Sequence, residues 1–225
     1  MSSLTIKNLN KIYNPGKNEV HAVKDFNLEI EDGEFVALLG PSGCGKTSTL
    51  RMIVGLESIT SGSILFDDVE INDFSPEQRN VAMAFESYAL YPNFTIFENL
   101  AFPLEVKKNS SSEISKKVGE IAEMLQITNI LELKPNQLSG GQQQRVSLGR
   151  ALIRDPAVFI LDEVMSHLDA HLKFQMLFEL KKIHQTLKKT MIYVTHDQME
   201  ALALSDRVAV MANAVLQQFG NRNDL

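Results

Sequence analysis

Phe35-Val36-Ala37-Leu38-Leu39-Gly40-Pro41-Ser42-Gly43-Cys44-Gly45-Lys46-Thr47-Ser48 decides how the rest of the chain is read. An apolar run of strand length gives way to a Gly-x-x-x-x-Gly-Lys-Thr loop, and helix-forming residues follow from Lys46. Glycines let the backbone curl until successive N–H groups face inward, and a helix start adds the positive end of its dipole. Such a turn cradles phosphate. Lys46 adds a point charge for β- and γ-phosphates, and the Thr47 hydroxyl suits Mg²⁺. The strand before and the helix after separate this pattern from an incidental Gly-rich turn. Cys44 fills an unconstrained position and reads as a plain loop residue.

Working outward, Leu4 to Tyr13 and Val20 to Ile30 read as two antiparallel strands around a turn at Asn14-Pro15-Gly16. Val158 to Leu161, Met191 to Thr195 and Arg207 to Met211 are short apolar strands that alternate with helical stretches. That alternation predicts an α/β fold built on a mainly parallel sheet. Between about residues 87 and 155 the strand signal fades, and Ile114, Val118, Ile121, Ala122 and Leu125 form one helical stripe. A helical insertion is expected there. A further amphipathic helix runs from about His171 to Lys188, with Leu172, Leu177, Leu180, Ile183 and Leu187 as its buried face.

Composition narrows the functions open to the chain. Its 225 residues, 44% hydrophobic and 22% charged, are enough for one packed domain and unlike a disordered chain. A net charge of -6 with both signs interspersed lacks the basic face of a nucleic-acid binder. The single Cys44 cannot form an internal disulfide, the opening residues lack a secretion signal, and no apolar run reaches transmembrane length. A cytoplasmic chain is expected, and work at a membrane would need another chain to cross it.

Ala157-Val158-Phe159-Ile160-Leu161-Asp162-Glu163 is an apolar strand ending in two acids, at the strand end where α/β proteins place ligands. Asp162 is the candidate for holding Mg²⁺, and Glu163 for polarising an attacking water. His196 ends another apolar strand, where it could hydrogen-bond a γ-phosphate. His21, His167, His171 and His184 show no metal-ligand spacing, so no zinc site is expected.

Leu138-Ser139-Gly140-Gly141-Gln142-Gln143-Gln144-Arg145 resembles the signature of ABC-transporter ATPases. Ser139 and the glycines fall at a predicted helix start, whose N–H groups and hydroxyl can grip a phosphate. The resemblance covers essentially the whole chain and implies a P-loop ATPase core with an N-terminal antiparallel β subdomain and an inserted helical subdomain. It implies ATP and Mg²⁺ as cofactors, held by Gly40 to Ser48, by Asp162, and by Glu86 near the metal. It assigns Tyr13 to adenine stacking, and catalysis to Glu163 and His196 with Lys46. It places Ser139, Gly140, Gly141, Gln142 and Asp169 at the interface of a head-to-tail dimer, homo- or heteromeric, with ATP bound between subunits.

Val20 to Ile30, Ser87 to Pro92 and Thr195 to Ala201 resemble the importer ATPases for maltose, other oligosaccharides and glycerol-3-phosphate. That implies two membrane permease subunits, an extracytoplasmic solute-binding protein, a place at the cytoplasmic face of the membrane, and sugar or sugar-phosphate uptake. The chain departs from the pattern at Glu86, where the family has glutamine, at Val164, where it has proline, and at His167, where it has a small residue. It also stops near where those ATPases begin a regulatory β-domain, so a form without that domain is expected. A soluble ABC ATPase, or a regulatory subunit that hydrolyses weakly, are the alternatives.

Overall fold

Strands β1 (Leu4–Tyr13) and β2 (Val20–Ile30) pair antiparallel with Leu4 opposite Ile30. The computed structural model describes every residue except Met1, Ser2, Lys17, Glu86, His167, Asn223 and Leu225. On the other side of β1 lies β4 (Ser61–Phe66), followed by the two-residue β5 (Val69–Glu70), completing a four-stranded antiparallel sheet. Apolar residues alternate along β1 and β2, so Leu4, Ile6, Leu9, Val23, Phe26 and Ile30 share one buried face.

The second sheet has six strands in the order β10, β9, β3, β8, β7, β6. Its parallel part comprises β3 (Phe35–Leu39), β6 (Val81–Ala84), β7 (Val158–Asp162), β8 (Thr190–Thr195) and β9 (Arg207–Ala212). At its edge β10 (Val215–Asn221) returns antiparallel to β9. Strands β3, β7 and β8 are covered on both faces, which is why they read as continuous apolar runs rather than alternating ones.

One core fills the space between the two sheets and around α1 (Lys46–Val54). The other joins the opposite face of the parallel sheet to α2 (Ile96–Val106), α3 (Ser111–Met124), α4 (Gly140–Leu152) and α5 (Ala170–Leu187). Phe35, Phe159 and Tyr193 are sealed in this second core, each burial favouring the fold by about 1.5–3 kcal/mol. Between β6 and β7 the described residues form no strand, only helices and connections. Their apolar stripes pack into the same core as the sheet.

Helix starts are set by sequence. Thr95 and Glu98 form a capping box on α2, and Ser110 and Glu113 do the same for α3. Of the face expected on α5, Leu180 and Ile183 are buried, whereas Leu172, Leu177 and Leu187 are only half-buried; Met176 and His184 complete the buried arc. A last short helix, α6 (Gln198–Leu204), follows β8. Among the described residues no helix is long and apolar enough to cross a membrane.

Candidate active site

Strand β3 lies inside the sheet, between β9 and β8, and its carboxyl end delivers the phosphate loop. Two loop glycines are required by contact. A Cβ on Gly40 would lie 2.2 Å from the Met211 carbonyl oxygen, and one on Gly45 2.2 Å from that of Ala22. Gly45 also has φ of +109°, a left-handed backbone that an L side chain strains, and it caps α1 without any side-chain hydrogen bond. No acidic residue stands in the first turn of α1. The helix therefore presents its N–H groups and positive dipole end to an incoming anion.

Lys46 opens α1 and is buried, its Nζ donating to the carbonyl oxygens of Gly40 at 2.8 Å and Pro41 at 3.1 Å. Cys44, read from the sequence as filling an unconstrained loop position, is instead packed in the core between the sheets. In front of the loop is a cleft of about 530 Å³ lined by Ser42, Lys46, Thr47, Ser48, Asp162 and Glu163, among others.

Asp162 ends β7 opposite Val194 of β8. Glu163 follows with φ of +47°, and its N–H donates to the Val194 carbonyl at 3.0 Å. The Ser166 hydroxyl and N–H both donate to the Glu163 carbonyl, at 2.5 and 3.1 Å. These contacts hold a left-handed glutamate that would otherwise cost about 1–2 kcal/mol. His196 Nδ1 is 3.4 Å from Glu163 Oε2, so the two residues proposed for catalysis touch.

Beneath His196 lies a polar network. The Tyr193 hydroxyl donates to Glu200 Oε2 at 2.7 Å, and burial, then the neighbouring Glu200 carboxylate, pushes this phenol far above its usual range. Lys173 Nζ is 2.6 Å from Glu200 Oε1, a hydrogen bond that raises the lysine above its ordinary value.

The remaining sequence candidates lie around this centre. Tyr13 ends β1, donates its hydroxyl to Ser48 Oγ at 3.4 Å, and carries Lys11 Nζ 4.8 Å from its ring centroid. It adjoins the cleft through Ser48 without lining it; Val20, His21 and Ala22 of β2 form that wall. Ser139 caps α4, accepting from the Gln142 N–H at 3.4 Å while its own N–H donates to Gln142 Oε1 at 2.9 Å. Ser139 and Gly140 are exposed, and none of the positions from Ser139 to Gln142 lines the phosphate cleft. Asp169 caps α5, accepting from the N–H groups of His171 and Leu172 at 3.0 Å. Glu86 and His167 lie outside the described residues. The sequence reading missed Arg51, Phe85 and Ser87, which also line the cleft. Arg51 follows Thr47 by four residues on α1, a spacing that places both on one helix face.

Residues 23–166 match the family model described as ABC transporter. The chain belongs to the ABC-transporter ATP-binding family. Among curated relatives of this family it is 49% identical to the uncharacterised ATP-binding protein YcjV of Escherichia coli K12 over 98% of its length. It is 47% identical over 98% of its length to UgpC of Bordetella avium, named an sn-glycerol-3-phosphate import ATP-binding protein. It is also 48% identical over its full length to SugC of Mycobacterium tuberculosis, named a trehalose import ATP-binding protein. The chain spans 60% of YcjV and UgpC and 56% of SugC.

Among solved ABC structures, the dimeric post-hydrolysis state of the cassette MJ0796 bound to ADP and Pi superposes with a TM-score of 0.85. Identity there is 32%, over 97% of this chain and 98% of that one. CbiO1 of Clostridium perfringens, part of the transporter complex cbiONQ, gives a TM-score of 0.89 at 28% identity, covering 98% of this chain and 89% of that one.

Proposed function

We propose that this chain binds ATP on its phosphate loop, hydrolyses it to ADP and phosphate, and pairs with a second ATPase subunit to energise solute uptake through two membrane permease subunits. The observation that carries the reading is the convergence of Lys46, Thr47, Asp162 and Glu163 on one cleft, with His196 3.4 Å from Glu163. Lys46 is placed to exchange its loop carbonyls for phosphate oxygens. Glu163 orients the attacking water and takes up its proton, and His196 contacts the transferred phosphate from beside it. The hydroxyl of Thr47 and carboxylate of Asp162 are hard oxygen donors suited to Mg²⁺, with Glu86 added on sequence grounds. Bound there, the cation neutralises phosphate charge.

Tyr13, next to Ser48, is assigned to the adenine ring. The start of α4, where Ser139 and Gly140 are exposed and none of the positions from Ser139 to Gln142 lines the chain's own cleft, supports an ATP held across the interface by the opposing subunit. Asp169 belongs to the same interface, and the dimeric state of MJ0796 supports a dimer. Closure of the pair around ATP, and its release after hydrolysis, is the stroke passed to the membrane. The connection from Tyr88 to Pro92, ahead of α2 in the inserted helical region, carries it. A groove of about 440 Å³ with Tyr88, Tyr91, Phe102 and Pro103 on its walls opens there, Arg150 lying 4.5 Å over the Tyr91 ring. The import functions named for UgpC and SugC support a sugar or sugar phosphate as solute, delivered by an extracytoplasmic binding protein, with this chain at the cytoplasmic face.

The test is phosphate release from Mg-ATP by the purified chain, beside its Lys46→Ala variant. Release no greater than that of the variant refutes the reading. Co-purification with native membrane partners then identifies the permease subunits on which the solute can be assayed.

A further inference from the structure

We propose that Glu200 and Lys173 are positioning residues, which hold the His196 turn against Glu163 and tie that turn to the Asp169 end of α5. The inference rests on the ATP-hydrolysis reading of the same site. Glu200 is 4% exposed, and a carboxylate so placed is costly unless its oxygens are used. Both are used. Oε2 accepts from the hydroxyls of Tyr193 at 2.7 Å and Thr195 at 2.5 Å, while Oε1 meets Lys173 Nζ at 2.6 Å.

The Thr195 hydroxyl is the pivot. It donates to Glu200 and accepts the N–H of Asp197 at 3.0 Å, so the residues on both sides of His196 are fixed by one side chain. Asp197 in turn accepts from the N–H groups of Met199 and Glu200 at 2.8 and 3.3 Å, and Lys173 reaches it at 3.3 Å. Glu163 is held by the same strand end, through its N–H on Val194. The Glu163 to His196 separation is therefore set by the last two residues of β8, and Glu200 is what orients Thr195.

Lys173 extends the frame to another element. Its N–H donates to the Asp169 carbonyl at 2.8 Å in the first turn of α5, while its ammonium joins Glu200 of α6 and Asp197, which caps that helix. A shift of the Asp169 segment thus pulls on the histidine turn through one side chain. A purely apolar contact between α5 and α6 would pack the helices without fixing this direction.

The experiment measures kcat for ATP and the dissociation constant of a fluorescent ATP analogue on wild type, Glu200→Gln, Lys173→Met and Lys173→Arg, with a thermal melt for each. Lys173 is partly exposed, so Lys173→Met keeps the test alive if a change at Glu200 prevents folding. Misplacing the histidine turn should lower kcat about tenfold in Lys173→Met and in folded Glu200→Gln, with analogue binding within about twofold and Lys173→Arg restoring most of the rate. An unchanged kcat in Lys173→Met overturns the proposal. So does a loss in which kcat and binding fall together with the melting temperature, the mark of a merely structural pair. A wild-type chain without hydrolysis instead removes the ATPase reading on which this inference rests.

Discussion

Replacing Lys46 with methionine takes one charge out of the cleft and keeps an apolar stem of similar length. Lys46 is 4% exposed, and its ammonium donates to the Gly40 and Pro41 carbonyls at 2.8 and 3.1 Å. Each such charge-assisted bond contributes roughly 1.5–3 kcal/mol, against a desolvation cost of several kcal/mol for a buried cation. The two nearly cancel, so the nucleotide-free variant should melt within about 4 °C of wild type, which corresponds to about 1 kcal/mol for a chain of this size. ATP changes the balance. A charged phosphate oxygen at about 3 Å from the ammonium gains roughly 5 kcal/mol at an effective dielectric near 20, while the two carbonyl contacts are given up. A net of about 1–2 kcal/mol remains, so Lys46→Met should bind ATP about 5- to 30-fold more weakly. Turnover should fall further, by about 100-fold or more, because charge on the transferring phosphate needs this cation as the bond breaks. Fluorescent-nucleotide titration, phosphate release and thermal melting on the same samples separate the three effects. Binding within about twofold of wild type together with an undiminished kcat would refute the electrostatic reasoning, since Coulomb attraction at contact cannot vanish.

Glu163→Gln keeps the side-chain shape and removes the charge that orients water, so hydrolysis should collapse while Mg-ATP still drives dimer formation on size exclusion; a variant that stays monomeric and hydrolyses normally contradicts both roles. Ser139→Arg places a bulky cation on the exposed start of α4 and should abolish activity while ATP binding to the chain's own phosphate loop survives, and normal turnover would take Ser139 out of the interface. Glu86→Gln supplies the amide that the family pattern carries and should raise the hydrolysis rate and lower the Mg²⁺ needed for half-maximal activity; identical titrations would place Glu86 beyond reach of the metal. Burial holds His184 below its ordinary value of 6.5. The unfolded chain therefore takes up this proton first, and the fold loses stability as pH drops below about 6.5. His184→Gln should flatten the fall in urea midpoint between about pH 7 and pH 5, and an unchanged slope would assign the acid sensitivity to other groups.

The limits of β1, β2 and β3 and the start of α1 are legible because apolar alternation, apolar runs and the glycine loop are local signals. The apolar runs of β7, β8 and β9 are legible to within a residue, whereas β4, β6 and β10 are not. β4 opens on Ser61-Gly62-Ser63, β6 has four residues, and β10 carries the exposed Gln217 and Gln218; their pairing comes from neighbours distant in sequence. The α5 stripe is misplaced for a definite reason. His184 reads as polar, yet its Nε2 lies 2.9 Å from the Gly33 carbonyl and its ring 5.0 Å from that of Phe35, which turns the buried arc toward Met176 and His184. In the site, contiguous motifs announce Lys46, Thr47, Asp162, Glu163 and Ser139. The wall from Val20 to Ala22 and the Glu200 network are visible only once strands and helices are assembled.

The close approach at the two loop glycines has a mechanical meaning. Gly45 abuts the carbonyl of Ala22 in the antiparallel sheet, and Gly40 abuts that of Met211 in the parallel sheet. The octapeptide is a rivet between two plates, which are also laced by the hydrogen bond from Lys24 N–H to the Ala214 carbonyl at 2.7 Å. Tilting one plate against the other must squeeze or open the anion cradle, so a substitution that alters their pitch can retune nucleotide grip without touching a motif residue. A graft of the eight residues into a foreign strand and helix would carry the letters across and leave both walls behind.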